Sequence, residues 1–247
     1  MPINLANKLL ASLGLRVSRN VSPNRFQAIE QSLRLMTKRG FAPLDIIDAG
    51  ANVGDWTKMA RTVFPRARFH LIEPQSGCAP ALSALARSTP EIRYHQIAVT
   101  RPGQRQVSMA GGGDSNRGTG AWILKDGDAT PAQSVCDATT LDELFGNGLR
   151  QPLLMKLDLE GHELEALSGA ESLLRQVEVV LTEVLFFDVY DRGRPLFSDV
   201  ISFLAQREFD LYDIASLSGR PRDNRLRLGD ALFVRRGSPL STDRSWE

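Results

Sequence analysis

The chain has 247 residues, of which 42% are hydrophobic and 24% charged, a composition that fits a globular protein and excludes a disordered chain. Its 30 Lys and Arg residues balance 29 Asp and Glu residues, so the formal charge of +1 gives no bulk attraction to nucleic acid or anionic membranes. Two cysteines, Cys78 and Cys136, are too few for a disulfide framework or a zinc cage, and we expect free thiols in a cytoplasmic protein.

The N-terminal segment, residues 1–15, is mildly apolar but is interrupted by Lys8. It lacks the uncharged core and cleavage site of a secretory signal, and it is too short to span a bilayer. We expect it to dock on the protein, with a peripheral contact to a membrane or partner as the alternative. Residues 24–39 then carry apolar side chains at helical spacing and stop before Gly40, which predicts a helix that covers the sheet.

A glycine turn follows the first predicted strand. Residues 44–49 form a short apolar run that contains two isoleucines, which predicts a buried parallel strand. The chain then passes through Gly50 and Gly54 into a helical pattern over residues 55–63. Strand, glycine turn and helix are typical of nucleotide-binding units, in which a ligand approaches the backbone near a helix N-terminus.

The remaining elements continue this alternation. Further strands are predicted at 68–74, 92–94, 153–158, 177–185, 209–214 and 230–235, and further helices at 77–87, 140–145, 163–175 and 195–207. The pattern predicts a mostly parallel sheet with helices on both faces, and the polar connection before the last strand allows the last two strands to pair antiparallel.

Residues 100–140 interrupt the alternation with a polar, glycine-rich stretch. We expect a β-hairpin insertion over the active-site rim, with a plain surface loop as the alternative. We find no linker, so residues 1–247 are expected to form a single domain, with residues 1–40 as an N-terminal helical extension.

Four acids lie at predicted carboxyl ends of strands, where open α/β sheets bind ligands: Asp48, Glu73, Asp158 and Glu183. Glu73 follows the glycine turn by about 20 residues, the spacing at which an acid accepts hydrogen bonds from ribose hydroxyls. The turn lacks the Gly-x-Gly-x-x-Gly spacing that admits a pyrophosphate, which favours an adenosyl ligand such as S-adenosylmethionine over NAD. Asp48 and Asn52 are expected at the amino-acid end of that ligand, directly or through water.

Four segments resemble the FkbM family of S-adenosylmethionine-dependent methyltransferases: residues 48–57, 72–74, 140–144 and 156–163. The first is shared by class I methyltransferases generally, whereas the Lys-Leu-Asp-Leu-Glu-Gly block of the last is more specific. The resemblance covers residues 45–235. It implies a Rossmann-like α/β fold with a seven-stranded sheet of order 3-2-1-4-5-7-6, last strand antiparallel, and methyl transfer to oxygen. The predicted cofactor-binding residues are Asp48, Gly50, Asn52, Gly54, Thr57, Glu73 and Asp158.

Methyl transfer to a hydroxyl requires an aligned acceptor and a group that receives its proton. The candidate catalytic residues are Asp158, His162 and Glu183. For Asp158 the alternative is turn capping, and for His162, the base that titrates near neutrality, it is a structural role. Glu160 is expected either to face the site or to cap the next helix. The three candidates could instead hold Mg²⁺, but their spacing is not a metal signature and no metal ligand is assigned.

The leading prediction is an S-adenosylmethionine-dependent O-methyltransferase that acts on a hydroxyl of a sugar, glycan or secondary metabolite. The alternatives are a nicotinamide-dependent oxidoreductase and a catalytically silent S-adenosylmethionine-binding scaffold. We expect a hydroxylated small molecule or glycan as acceptor, no nucleic-acid partner and no transmembrane segment. Trp122, Arg117 and Tyr190 could contribute to a sugar-sized pocket, and the sequence does not indicate the oligomeric state.

Overall fold

A computed structural model describes residues 24–111, 120–125, 128–188 and 192–242 of the chain. The strands in chain order are β1 (Asp45–Ala49), β2 (Arg68–Ile72), β3 (Ile92–His95), β4 (Ala98–Val99), β5 (Gln106–Ala110), β6 (Trp122–Ile123), β7 (Ser134–Thr139), β8 (Leu153–Leu157), β9 (Val177–Leu185), β10 (Phe209–Gly219) and β11 (Leu226–Arg235). The helices are α1 (Arg25–Lys38), α2 (Asp55–Val63), α3 (Ala79–Ser88), α4 (Leu141–Phe145), α5 (Glu163–Ser168), α6 (Glu171–Leu174), α7 (Phe197–Ala205) and α8 (Pro239–Thr242).

Seven strands form one central sheet in the order β10-β11-β9-β8-β1-β2-β3. When only the strands of this sheet are numbered, the order is 3-2-1-4-5-7-6, and β11 pairs antiparallel with both β9 and β10. The predicted fold class is therefore confirmed. The two central strands, β1 and β8, are buried at every position, as their short apolar runs predict.

Helices cover both faces of this sheet, so successive residues of a strand enter different cores. Ile46 packs in the core formed with α1, α2 and α3, whereas Ile47 packs in the core formed with α4, α5, α6 and α7. The apolar stripe of α1, which includes Ile29, Leu33 and Met36, is buried and holds this helix on the sheet. The helix begins at Asn24, which accepts a hydrogen bond from the N–H of Gln27 and so caps it.

The single helix predicted over residues 163–175 is wrong, because the structure contains two short helices, α5 and α6, separated at Gly169. This glycine lies against the insertion: a Cβ placed on it would come within 2.3 Å of the Thr100 carbonyl oxygen. The second helix has its own cap, because the Asp142 carboxylate accepts hydrogen bonds from the N–H groups of Ser172 and Leu173. Contacts between distant segments therefore divide a continuous helical pattern.

The two C-terminal strands are longer than predicted. About half of the polar stretch predicted as their connection, residues 216–227, belongs to β10 and β11, and the connection itself is limited to the residues between Gly219 and Leu226. Because β10 lies at the edge of the sheet, many of its polar side chains are exposed, and an exposed strand of this kind resembles a loop in composition.

The insertion and the preceding strand β4 form a second, four-stranded sheet of order β4-β7-β5-β6. Strand β5 pairs antiparallel with β6 and β7, so the expected hairpin is part of a larger sheet with a small core around Val107 and Met109. The predictions for residues 1–15, Arg117 and Tyr190 lie outside the described residues. Within the described ranges, no helix is both long enough and apolar enough to cross a membrane.

Candidate active site

A cavity of about 270 Å³ lies at the carboxyl ends of the central strands. Its described walls come from the glycine turn, the end of β2, the end of β8, the insertion, the start of α1 and strand β11. They include Gly50, Ala51, Asn52, Glu73, Pro74, Gln75, Met109, Ala121, Ile123, Lys156, Asp158, Leu159, Glu160, Arg25 and Asp230. Trp122 of the insertion stacks under the guanidinium of Arg192, 3.9 Å from its ring centre. The small sheet contributes Met109 and Ile123 to the cavity wall, whereas Trp122, which was expected to contribute to a pocket, is not among the described lining residues.

The two glycines of the turn allow close packing of neighbouring segments. Gly50 has a φ of +77°, and a Cβ there would lie 1.9 Å from the backbone carbonyl oxygen of Asp158. Gly54 has a φ of +83°, and a Cβ there would come within 2.9 Å of the Leu85 side chain. Gly50 lines the cavity, while Gly54 brings α2 against α3. In the structure, the missing side chains of both glycines allow close contact between segments of the protein. The predicted contact of these glycines with a cofactor stays a prediction.

Glu73 is joined directly to the glycine turn. Its buried carboxylate accepts hydrogen bonds from the backbone N–H of Asn52 at 2.9 Å and of Gln75 at 3.0 Å. Asn52 adopts a φ of 47°, a left-handed conformation that asparagine tolerates and that turns its N–H toward the acid. Burial raises the pKa of Glu73, and the hydrogen bonds from Gln75 and Asn52 oppose that rise. The carboxylate is thereby oriented at the cavity wall.

Asp48 and Thr57 lie behind this wall. The Thr57 hydroxyl donates to Asp48 at 2.6 Å, and the Lys156 ammonium pairs with Asp48 at 2.9 Å and donates to the carbonyl of Gly50 at 2.9 Å. Burial alone would lower the pKa of Lys156, but the charges of Asp48 and Asp158 raise it. Neither Asp48 nor Thr57 belongs to the described lining. In the structure these two residues support the glycine turn through Lys156. Their predicted contact with the cofactor stays a prediction.

Arg25 at the start of α1 joins three acids at the other end of the cavity. Its guanidinium lies 3.1 Å from Asp158, 3.1 Å from Glu183 and 2.7 Å from Asp230. Burial would lower the pKa of Arg25, but the hydrogen bond to Asp230 and the three negative charges raise it above its usual value. Burial and the charge of Asp158 raise the pKa of Glu183 well above its usual value, and Arg25 opposes this rise.

Of these acids, Asp158 and Asp230 line the cavity, and the predicted catalytic residue Glu183 lies behind them. The Asp158 side chain is 25% exposed, against 6% for Glu183 and 4% for Asp230. Asp230 also accepts a hydrogen bond from the hydroxyl of Ser216. Asp158 is therefore the acid of this group that a ligand reaches most easily.

The structure does not favour His162 as the general base. The imidazole is buried outside the described lining, with Nε2 2.9 Å from the Thr100 hydroxyl and Nδ1 3.9 Å from Glu165. Burial lowers the pKa of His162 to about 4, so the ring is neutral at neutral pH. The alternative interpretation, a structural histidine that joins α5 to the insertion, agrees with these contacts.

The Mg²⁺ alternative also finds no support in this arrangement. It required Asp158, His162 and Glu183 to converge, but Arg25 lies between the two acids and His162 contacts Thr100. Among the described residues, no group of three or more His, Cys, Asp or Glu side chains is arranged to hold a metal ion.

The loop after β8 resolves the two alternatives for Glu160. This residue has a φ of 55° and lines the cavity, and burial together with the charge of Asp158 raises its pKa. The acid that satisfies the loop amides is Glu163, which accepts hydrogen bonds from the N–H groups of Leu159 and Gly161. Burial raises the pKa of Glu163 to about 7, against the effect of those hydrogen bonds. Glu160 thus faces the site.

Sequence reasoning assigned no site role to Arg25, Lys156 or Asp230. A signal existed for Lys156, because a lysine within a buried strand requires a buried partner, and Asp48 is its register partner on the adjacent strand. Asp230 begins the last predicted strand, residues 230–235, and was assigned no ligand-binding or catalytic role. Nothing in the sequence around Arg25 indicated that it would reach the ends of strands β8, β9 and β11.

The described geometry can be compared with known proteins. The methyltransferase FkbM domain matches residues 48–211. This chain belongs to the FkbM methyltransferase family. The resemblance predicted from the four sequence segments is confirmed, and family membership favours methyl transfer over the nicotinamide-dependent alternative. No curated protein matches the chain.

Solved methyltransferase structures are also similar to this family member. A precorrin-6y C5,15-methyltransferase from Geobacter metallireducens GS-15 is 10% identical, with 90% of this chain and 95% of that chain covered and a TM-score of 0.46. The N-methyltransferase NodS from Bradyrhizobium japonicum WM9, in complex with S-adenosyl-L-homocysteine, is 11% identical over 93% and 98% of the two chains, with a TM-score of 0.48. A Burkholderia thailandensis 1,6-didemethyltoxoflavin-N1-methyltransferase is 14% identical over 95% and 90%, with a TM-score of 0.47.

Proposed function

We propose that this methyltransferase transfers a methyl group from S-adenosylmethionine to a hydroxyl oxygen of a sugar, glycan or secondary metabolite. One observation carries the proposal: Glu73, in the position of a ribose-binding acid, and Asp158, on the acceptor side, line the same cavity. A ligand that contacts both would bring its adenosine end to the glycine turn and its reactive end to Asp158.

The residues present fit the cofactor. Glu73 is held by backbone N–H groups with oxygen lone pairs left for ribose hydroxyls, and Ile72, Val99 and Met109 supply apolar wall for a purine. The lining also contains several carboxylates, which attract a positively charged ligand. S-adenosylmethionine, when bound, supplies an electrophilic methyl group on a sulfonium sulfur.

Asp158 is the proposed acceptor of the hydroxyl proton. Its carboxylate is partly exposed in the cavity, and Arg25 donates a 3.1 Å hydrogen bond to Oδ2, which orients it. The other carboxylate oxygen is left for an incoming hydroxyl. Arg25 and the β8 backbone, which packs on Gly50, keep this group in position. Glu183 supports Arg25 from behind in this proposal, and His162 takes no part in proton transfer.

The experiment is methyl transfer from labelled S-adenosylmethionine to cell-envelope glycans and hydroxylated metabolites, with an equal set of amines. We expect label in the hydroxylated set, as an alkali-stable methyl ether identified by NMR. Asp158→Asn should lower the rate by about 10²-fold or more, and the exposed Asp137→Asn is the control. Methylation of nitrogen or carbon, or an unchanged rate in a folded Asp158→Asn variant, would contradict the proposal.

A cytoplasmic location also remains a proposal. It is supported by the number of cysteines in the chain, because two, Cys78 and Cys136, are too few for the disulfide framework of a secreted protein. Their state in protein isolated under alkylating conditions would test it, because thiols held in a reducing compartment react with the alkylating reagent and disulfides do not.

A further inference from the structure

The charged side chains of the cavity wall are unevenly distributed. Among the described residues that line it, five are acids and two are bases: Asp55, Glu73, Asp158, Glu160 and Asp230 against Arg25 and Lys156. The charge of Lys156 is directed at the buried Asp48, which lies behind the wall. Arg25 is therefore the cation of the described wall that most directly offsets the acids at the β8 end of the cavity.

The position of this cation is fixed by the fold. Arg25 donates to Asp230 from Nε at 2.8 Å and from Nη2 at 2.7 Å, and Nη2 also reaches Asp158 and Glu183 at 3.1 Å each. Its own helix is anchored on the sheet by the buried residues Ile29, Leu33 and Met36, which follow Arg25 along the same face of the helix. With 36% of its side chain exposed, Arg25 is held by the acids but still faces the cavity.

We propose that Arg25 sets the relative affinity of the cavity for the positively charged cofactor and its neutral product. S-adenosylmethionine carries a positive charge on sulfur, and S-adenosylhomocysteine lacks both that charge and one methyl group. A fixed cation in the wall weakens the binding of the charged ligand relative to the neutral one, because it offsets the carboxylates. Without it, the acid-rich wall would hold the sulfonium ligand too strongly in the ground state. This inference rests on the proposed use of S-adenosylmethionine.

Arg25→Gln tests the inference directly, because it removes the charge and keeps a polar side chain. Calorimetric titration in about 0.1 M salt gives Kd for both ligands with wild type and variant. For a unit charge about 8–10 Å from the sulfonium, at an effective dielectric constant of about 20–40, the ratio of Kd for S-adenosylhomocysteine to Kd for S-adenosylmethionine should rise about 4- to 30-fold. Arg25→Lys, which retains the charge, should keep the ratio within about twofold of wild type.

Arg34→Gln is the matched control, because Arg34 lies on the same helix and is also ion-paired, with Glu30. It is nine residues further along, which places it about 13 Å away along the helix axis, beyond the screening length in about 0.1 M salt. The ratio should not change in this variant.

Asp230→Asn gives an independent measurement if Arg25→Gln is poorly folded. It removes a negative charge from the same wall, so the ratio should fall below the wild-type value. The inference is overturned if the ratio stays within twofold of wild type in a folded Arg25→Gln or Asp230→Asn variant, including the case in which both ligands weaken equally. Failure of wild type to bind either ligand would overturn the proposed function and this inference together, whereas binding with an unchanged ratio overturns the inference alone.

Discussion

Gly50 shows how one residue joins the two halves of the candidate site. Its left-handed backbone turns the chain out of β1, and the missing side chain leaves space for the carbonyl of Asp158. The glycine turn and Asp158 are therefore in direct backbone contact. Any side chain at this position would separate them.

Gly50→Ala is expected to be strongly destabilising. The new Cβ meets the strain of a φ of +77° and a contact of 1.9 Å with backbone that cannot rotate away. The matched control is Gly40→Ala, which has a φ of +92° but nothing within 4 Å of the new Cβ. We expect Gly40→Ala to lower the free energy of unfolding by about 1–2 kcal/mol, from strain alone. Gly50→Ala should lower it by about 3 kcal/mol or more. Denaturant unfolding measures both, and equal losses would show that the close contact is unimportant.

Strands β1 and β8 are joined by a buried ion pair as well as by their backbone hydrogen bonds. Asp48 and Lys156 are opposite each other in this parallel pair and form a buried ion pair, and the Thr57 hydroxyl of α2 donates to the same acid. Two strands and a helix are thus joined below the cavity floor. A buried ion pair adds little net stability, but removal of one partner leaves a buried charge without compensation.

Lys156→Met should therefore lower the free energy of unfolding by about 3–5 kcal/mol, because the buried Asp48 loses its counter-charge. The double variant Asp48→Asn with Lys156→Met should recover a large part of this loss, since the asparagine can still accept the Thr57 hydrogen bond. Denaturant unfolding of the wild type, both single variants and the double variant gives the coupling. Additive losses would contradict a direct Asp48–Lys156 interaction.

Elements specified by local pattern were predictable from the sequence. The bounds predicted for α2 and β9 agree with the structure, and the helix predicted over residues 140–145 is α4, with Thr140 as its N-cap. The division between α5 and α6 was missed because it depends on the contact of Gly169 with Thr100, which is distant in sequence. The local sequence pattern predicts a helix, but it does not predict contacts from a segment that is distant in sequence.

The same limit applies to the site. The glycine turn, Glu73 and Asp158 were identifiable because they follow strands, and the ends of parallel strands meet at one edge. The contact of His162 with Thr100 depends on the path of the insertion, and the reach of Arg25 depends on how α1 crosses the sheet. Neither path is encoded in a motif.

At the scale of the whole molecule, buried ionisable groups make stability depend on pH in opposite directions. The pKa of His162 is lowered to about 4 by burial, so the unfolded chain binds this proton first and stability is lost as pH falls from about 6.5 to 4. The pKa of Glu163 is raised to about 7 by burial, so the folded chain binds its proton first and stability is lost as pH rises from about 4.5 to 7.

Two variants separate these contributions. As pH falls from 7 to 4.5, His162→Gln should become more stable relative to wild type, because it no longer carries the cost of a buried histidine. As pH rises over the same range, Glu163→Gln should become more stable relative to wild type, because it no longer carries the cost of a buried carboxylate. Each difference should approach about 2–3 kcal/mol at its limit. Denaturant unfolding at pH 4.5, about 5.5 and 7 measures both trends, and parallel pH profiles for all three proteins would contradict these burial effects.

We propose that Glu73 holds an adenosyl cofactor beside the glycine turn. Calorimetric titration with S-adenosylmethionine tests it most directly, with the exposed Glu91→Ala as the control for Glu73→Ala. We predict binding to wild type and to the control, and a Kd about 10- to 100-fold weaker for Glu73→Ala, as expected for the loss of hydrogen bonds to a charged group. Absence of binding to wild type, or equal affinity in a folded Glu73→Ala variant, would contradict the claim.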